Sequence, residues 1–175
     1  MRRGQPLTLA QALDAFTRPP LAHVRFDLDL KVAGREDEIA AALRERGLLE
    51  RAMVSTMEVR SLAFLRDHEP ELARGWTLPR TSRDWMRSRA LRPLVLAGSA
   101  TLRARLPGIV RRGAPRLGVW AVWVYHPLIT RRLVEAARGV RVATIAWTVD
   151  DAERARELAA LGVEGICSND PRLLP

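Results

Sequence analysis

The stretch Val24-Arg25-Phe26-Asp27-Leu28-Asp29-Leu30-Lys31 alternates without a break. In an extended chain Val24, Phe26, Leu28 and Leu30 fall on one side, and Arg25, Asp27, Asp29 and Lys31 on the other. An open parallel sheet is covered by helices on both faces, and a charged face would be buried there without reason. The same face suits a strand that lines the lumen of a parallel β/α barrel, with its apolar side against the ring of helices.

The rest of the chain fits that strand. Further strands are expected at Ala52–Thr56, Leu72–Leu78, Leu117–Tyr125, Val140–Val149 and Val163–Ser168. Between them lie helix-like stretches with clear punctuation. Glu36 to Arg46 is followed by Gly47. Thr130 can cap a helix that runs to Arg138 and stops at Gly139. Asp150 can cap one that runs through Leu161 and stops at Gly162. The steps from Lys31 to Ser55, Ser55 to Trp76 and Trp147 to Ser168 are each twenty-odd residues, the length of a strand plus a returning helix. The step from Trp76 to Trp123 is about twice as long and holds an added, helix-like stretch from Arg83 to Leu106. No strand is followed by a Gly-x-Gly-x-x-Gly turn, so the nucleotide-binding form of an open sheet lacks its fingerprint. The expected fold is α/β: a TIM-type (β/α)8 barrel, incomplete, with about six of eight parallel strands. The 175 residues form one domain, short of a full barrel by roughly two strand–helix units, which are expected ahead of residue 1.

Composition narrows the function. The chain is 47% hydrophobic and 28% charged, in the range of globular proteins. No apolar run is long enough to span a bilayer, and the basic start Met1-Arg2-Arg3 has no apolar segment behind it. A single cysteine, Cys167, excludes an internal disulfide and fits a reducing compartment, so a cytoplasmic location is expected. The net charge of +9 invites a nucleic-acid reading, but the arginines are spread, with pairs such as Arg111-Arg112 and Arg131-Arg132 as the longest clusters. With only 5% aromatic residues the charge reads as a solvated surface, not a nucleic-acid interface.

One count singles out a residue. Of 29 basic residues, Lys31 is the only lysine. Where arginine serves everywhere else, a retained lysine points to a position that needs a compact, flexible ammonium. Asp29 and Lys31 would project side by side at the C-terminal mouth, about 7 Å apart along the strand. A carboxylate there is a hard ligand for Mg²⁺ or Ca²⁺, and an ammonium is a point charge for phosphate. The plainer reading is a solvent-facing edge strand with an Asp–Lys pair.

At this point the sequence resembles the glycerophosphodiester phosphodiesterases. Phe26-Asp27-Leu28-Asp29-Leu30-Lys31 is similar to their strand that ends in an acidic residue, an aliphatic one and a lysine. Met53-Val54-Ser55-Thr56 resembles the next strand, and Leu62 to Pro70 the helix after it. Ala146-Trp147-Thr148-Val149-Asp150 resembles the family's Trp-Thr-Val-Asn. Leu161 to Pro171 resembles its last strand, and Pro6 to Leu13 the segment before its third. The resemblance covers nearly the whole chain and implies hydrolysis of a glycerophosphodiester to glycerol 3-phosphate and an alcohol. It implies Asp29 as a ligand of a divalent metal (Ca²⁺ or Mg²⁺), Lys31 as a phosphate contact and Trp147 as part of the glycerol wall.

The departures are specific. Asp29 stands where the family has Glu, Asp150 where it has Asn, and Asn169 where Asp is common. The family's early segment, with its His-Arg-Gly, Glu-x-Asp and His-Asp motifs, has no counterpart here, so the general acid and base and most metal ligands are not expected in this chain. His23 and His68 are expected to be exposed. Ser55, His126 and Asn169 are candidate mouth residues, although Ser55 could simply cap a helix, and His126 before Pro127 could simply sit in a turn. Cys167 reads as a small buried residue. Two other readings stand beside the enzyme: a non-catalytic barrel remnant that binds an anionic partner through its arginines, and a phospholipase-like phosphodiesterase barrel.

Three structural expectations follow. The strand ending at Lys31 should be central and parallel. Asp29 and Lys31 should point to the same mouth as Trp147 and Ser168. Unpaired strands at the ends of an incomplete barrel should favour self-association.

Overall fold

A computed structural model of the chain describes residues 6–80 and 92–173. Six strands form one sheet in chain order: β1 (Phe26–Asp29), β2 (Ala52–Thr56), β3 (Ala73–Leu78), β4 (Ala121–Tyr125), β5 (Ala143–Trp147) and β6 (Gly165–Ile166). Every neighbouring pair is parallel. The helices are α1 (Leu9–Phe16), α2 (Glu36–Glu45), α3 (Val59–His68), α4 (Arg92–Leu117), α5 (Arg131–Arg138) and α6 (Ala152–Leu161). The result is a curled arc of strands backed by helices, an incomplete TIM-type barrel, as the alternation at residues 24–31 implied. No helix among the described residues is long and apolar enough to cross a membrane.

The strands are shorter than their apolar runs. Leu117, Val140 and Val163 pack against the core at element ends and do not pair in the sheet; Leu117 closes α4. Strand β1 is parallel to β2 but is not central: it is the first strand of the arc. A lumen-facing charged face therefore belongs here to an end strand. The helical stretch expected from Arg83 to Leu106 falls partly outside the described residues, and α4 continues to Leu117.

Local chemistry sets the helix starts. Thr8 and Gln11 form a capping box on α1, and Thr130 accepts the Leu133 amide at the start of α5. At α6 the capping residue is Asp151, which accepts from the Arg154 amide, and not Asp150. Asp150 has other partners, described below.

Alternate residues of each strand point outward, where the core lies. Leu13, Leu30, Ile39, Leu43, Val54 and Leu65 form one cluster beneath α1, α2 and α3. A second joins Trp76, Leu106, Val110, Val122, Val124, Leu133 and Leu158 beneath α4, α5 and α6. Trp76 is the largest side chain of that layer, and α4 accommodates it with a glycine. A Cβ on Gly113 would lie 2.6 Å from Trp76 Cζ3.

Below the sheet, Arg74 is 8% exposed and pairs with no carboxylate among the described residues. Its guanidinium donates to the carbonyl oxygens of Glu69, Pro70, Leu72 and Gly118, tying the α3–β3 and α4–β4 connections together. Burial pulls its pKa below the usual arginine value.

Candidate active site in the lumen and at its mouth

The pairing register fixes which residues face the lumen. Asp29 pairs with Ser55, Ser55 with Gly75, Gly75 with Ala121 and Ala121 with Ala143, so one side of each strand contributes to a common row. Two residues further on, Thr77, Trp123 and Ile145 form the next row, level with Gly165 of β6. Tyr125 and Trp147 pair above them. Asp29, Tyr125 and Trp147 are each the last residue of their strand, which places them at the C-terminal mouth, where barrel sites are built.

On β1 the Asp29 carboxylate forms an ion pair with the Lys31 ammonium, and both side chains are solvent-accessible, 44% and 67% respectively. Two residues deeper, Asp27 is half-buried. Its Oδ2 accepts a 2.7 Å hydrogen bond from Ser55 Oγ, while Oδ1 is buried without a partner among the described residues. Burial pushes the Asp27 pKa up to about 6, against the opposing Ser55 hydrogen bond and with a small addition from Asp29. Ser55 is 2% exposed, so it neither caps a helix nor lines the rim; it holds Asp27 inside the lumen.

The lumen continues on β3 and β4. A Cβ on Gly75 would lie 2.5 Å from Trp123 Nε1 and 3.1 Å from Ser55 Cβ, so the indole lies across the glycine next to Ser55. The indole nitrogens of Trp123 and Trp147 are both buried without a partner among the described residues. Just after β6 the Cys167 thiol is raised to about 11, first by burial and then by the Asp27 and Asp29 carboxylates.

At the rim, the Tyr125 ring packs against Trp147 with centroids 5.3 Å apart, and against His126 at 5.4 Å. Arg154 of α6 donates from Nε to His126 Nδ1 at 3.2 Å and from Nη2 to the His126 carbonyl at 2.8 Å. With Nδ1 accepting, the neutral ring carries its proton on Nε2. Burial, and then Arg154, lower the His126 pKa. Asn169 is also at the rim, where Asp150 Oδ1 accepts from its backbone N–H and Oδ2 from its side-chain amide. Ser168 Oγ donates to the same carboxylate at 3.0 Å, and the Asn169 bonds hold the Asp150 pKa low. His23 and His68 are exposed and lie away from this set.

The sequence reading named Asp29, Lys31 and Trp147 as site residues, and it did not include Asp27, Trp123 or Tyr125, which share these rows. Asp27 has the same alternation as Asp29 and could have been taken with it. Gly75 in mid-strand was the available sign of a close approach. Among the described residues, no group of three or more His, Cys, Asp or Glu side chains is close enough to hold a metal ion.

Residues 18–173 match the profile of the Glycerophosphoryl diester phosphodiesterase family. A glycerophosphodiester phosphodiesterase of Arabidopsis thaliana is 41% identical over 56 residues, which are 32% of this chain and 17% of that protein. Among solved structures, a glycerophosphodiester phosphodiesterase from Parabacteroides distasonis matches with a TM-score of 0.68 at 14% identity, over 94% of this chain and 60% of that one. A phosphodiesterase of Oleispira antarctica, solved with the product sn-glycerol-3-phosphate, matches with a TM-score of 0.62 at 17% identity, over 94% and 57%. The chain therefore spans less than two thirds of the length of each of these relatives.

Proposed function

The chain belongs to the glycerophosphoryl diester phosphodiesterase family, and from that premise we propose that it contributes to hydrolysis of a glycerophosphodiester to glycerol 3-phosphate and an alcohol. The observation that carries this reading is the Asp29–Lys31 ion pair at the C-terminal end of β1, the end of the sheet at which Trp147 closes β5. Lys31 supplies a mobile positive charge for a phosphate oxygen. The Trp147 and Tyr125 rings offer an apolar wall for the glycerol carbons, with a buried indole N–H available to a hydroxyl.

Asp29, and the unpartnered Asp27 Oδ1 below it, are hard oxygen donors of the kind Mg²⁺ or Ca²⁺ takes. They make up part of a coordination shell, so Asp29 is assigned as one ligand and the remaining ligands as coming from other polypeptide. A bound divalent ion would neutralise phosphate charge as the diester is attacked. The general acid and base are assigned outside these residues as well: each proton transfer contributes about 10²–10⁴ in rate, and the His126 ring, its pKa lowered by burial and then by Arg154, is already engaged by Arg154 at Nδ1. The open lumen and the end strands β1 and β6 favour association with further polypeptide or with a second copy.

The test is a comparison of two proteins. With Mg²⁺ or Ca²⁺, the 175-residue chain should not turn over glycerophosphocholine. Joined to a preceding segment that carries His-Arg-Gly and Glu-x-Asp motifs, it should hydrolyse the diester in a metal-dependent way. Lys31→Ala and Asp29→Ala should each remove most of that activity. Robust turnover by the 175 residues, or full activity of the joined Lys31→Ala protein, would overturn the assignment.

A further inference from the structure

Several arginines outside α4 and α5 carry a carboxylate: Arg35 with Glu38, Arg44 with Glu69, Arg66 with Asp67, Arg154 with Glu157 and Arg172 with Asp170. Arg18, Arg25, Arg60, Arg141 and Arg156 are exposed and form no ion pair among the described residues, but they are dispersed along the chain. On α4 and the start of α5 unpaired arginines are concentrated. Between Glu71 and Glu135 the sequence has a single acidic residue, Asp84. Helix α4 has neither an acidic nor an aromatic residue. Arg105, Arg111, Arg112, Arg116, Arg131 and Arg132 are all exposed, and none of them forms an ion pair among the described residues.

The arrangement of these side chains is ordered. Helix α4 buries Leu106, Val110, Ala114 and Leu117 against the core. Arg105, Arg112 and Arg116, at helical spacings of seven and four residues, share one stripe off that buried face. Helix α5 packs against α4 and begins with Arg131 and Arg132, with no acidic residue in its first turn. The positive end of a helix disfavours cations, so these two arginines oppose the local dipole as well as their neighbours. A face that gathers unpaired arginines in this way, with no acidic residue on α4 or in the first turn of α5, is suited to a counter-anion from outside.

We propose that the outer face of α4 and α5 is an electrostatic docking surface for a bilayer rich in anionic phospholipid. Charge complementarity selects a polyanion, and the form of the face favours a membrane over a nucleic acid. It is the outside of a helix layer, not a groove, and neither helix carries an aromatic ring on which a base could stack. A fluid anionic leaflet needs only a density of positive charge near it and tolerates irregular spacing. The docking surface is independent of the Asp29–Lys31 site and stands whether or not that site is catalytic.

The experiment is vesicle co-sedimentation of the intact protein. Vesicles of phosphatidylcholine are compared with vesicles that also contain phosphatidylglycerol, at low and at raised salt. Binding is expected only to the anionic vesicles, and salt should remove it. The variant R105E/R112E/R131E should lose at least tenfold in affinity with an unchanged circular dichroism spectrum. The charge-matched control R35E/R44E/R172E, which alters arginines that are paired, should bind nearly as well as the parent. If the charge reversal fails to fold, R105Q/R112Q/R131Q replaces it, with the same direction expected. Equal loss in both triple variants would show net charge at work and not this face. Equal binding to neutral vesicles, or tighter binding to a short DNA duplex than to anionic vesicles at the same salt, would also overturn the proposal.

Discussion

Inside the lumen, Ser55 Oγ donates a 2.7 Å hydrogen bond to Asp27 Oδ2 and leaves Oδ1 buried with no partner among the described residues. The half-satisfied carboxyl is held at a pKa of about 6, above its ordinary value of 3.8, chiefly by burial. The folded chain therefore binds this proton more tightly than the unfolded chain does. The penalty of burying the charge is absent below the ordinary carboxylate range and grows as pH rises, reaching its full size above about 6. Asp27→Asn keeps an acceptor for Ser55 and removes the charge. It should stabilise the protein by about 1–3 kcal/mol above pH 7, with the gain nearly gone by about pH 4, as read from urea unfolding at a series of pH values.

Asp29 and Lys31 should behave in the opposite way. Their ion pair is solvent-accessible, so either alanine substitution should change unfolding free energy by less than about 1 kcal/mol. Loss of catalysis in the joined protein with stability intact would place these side chains in function and not in folding. A large drop in the melting temperature would make the pair structural.

Arg74 should matter to stability alone. Its guanidinium joins four backbone carbonyl groups from two connections. Arg74→Ala leaves those acceptors buried and should cost about 3 kcal/mol or more. Arg74→Lys should recover only part of this, since a single ammonium cannot span the fork. Chemical denaturation of both variants decides the point, and a near-normal Lys variant would contradict the role given to the planar group.

Gly113 is where α4 accepts Trp76, with a Cβ position 2.6 Å from the ring. Gly113→Ala removes a flexible residue from a helix interior, which by itself is stabilising. The clash should dominate and lower stability by about 1–3 kcal/mol. Thermal unfolding of Gly113→Ala in the parent and in a Trp76→Leu background tests the contact, because the smaller side chain should relieve most of the loss.

Cys167 should be a slow thiol. Burial and the two β1 carboxylates raise it to about 11, and only the thiolate reacts. Alkylation by iodoacetamide at pH 8 should be at least about tenfold slower in the folded chain than in urea. In Asp27→Asn it should be faster than in the parent.

The order of the strands and their parallel sense could be read from the chain. Twenty-odd residues between apolar runs leave room for one helix each, and Thr130, Gly139 and Gly162 mark helix ends by local backbone chemistry. Alternation at residues 24–31 assigned the faces of β1, because side-chain direction in a strand follows from the pleat alone. Asp150 shows the boundary of such reasoning. Next to Asp151 it looked like a helix cap, yet it is occupied by Ser168 and Asn169 from the loop after β6.

What the amino-acid sequence determined by itself is the set of features with a fixed period or a local partner: strands, helices, caps and the pairing of Asp29 with Lys31. Tertiary structure alone decided what each lumen side chain meets. Trp123 over Gly75, Ser55 on Asp27, Arg154 on His126 and the joining of α4 and α5 into one basic face all bring together residues from different strand–helix units. Such contacts depend on the curl of the sheet and the stagger of its strands. Those are set by packing summed over the whole arc, and no short stretch of sequence encodes them.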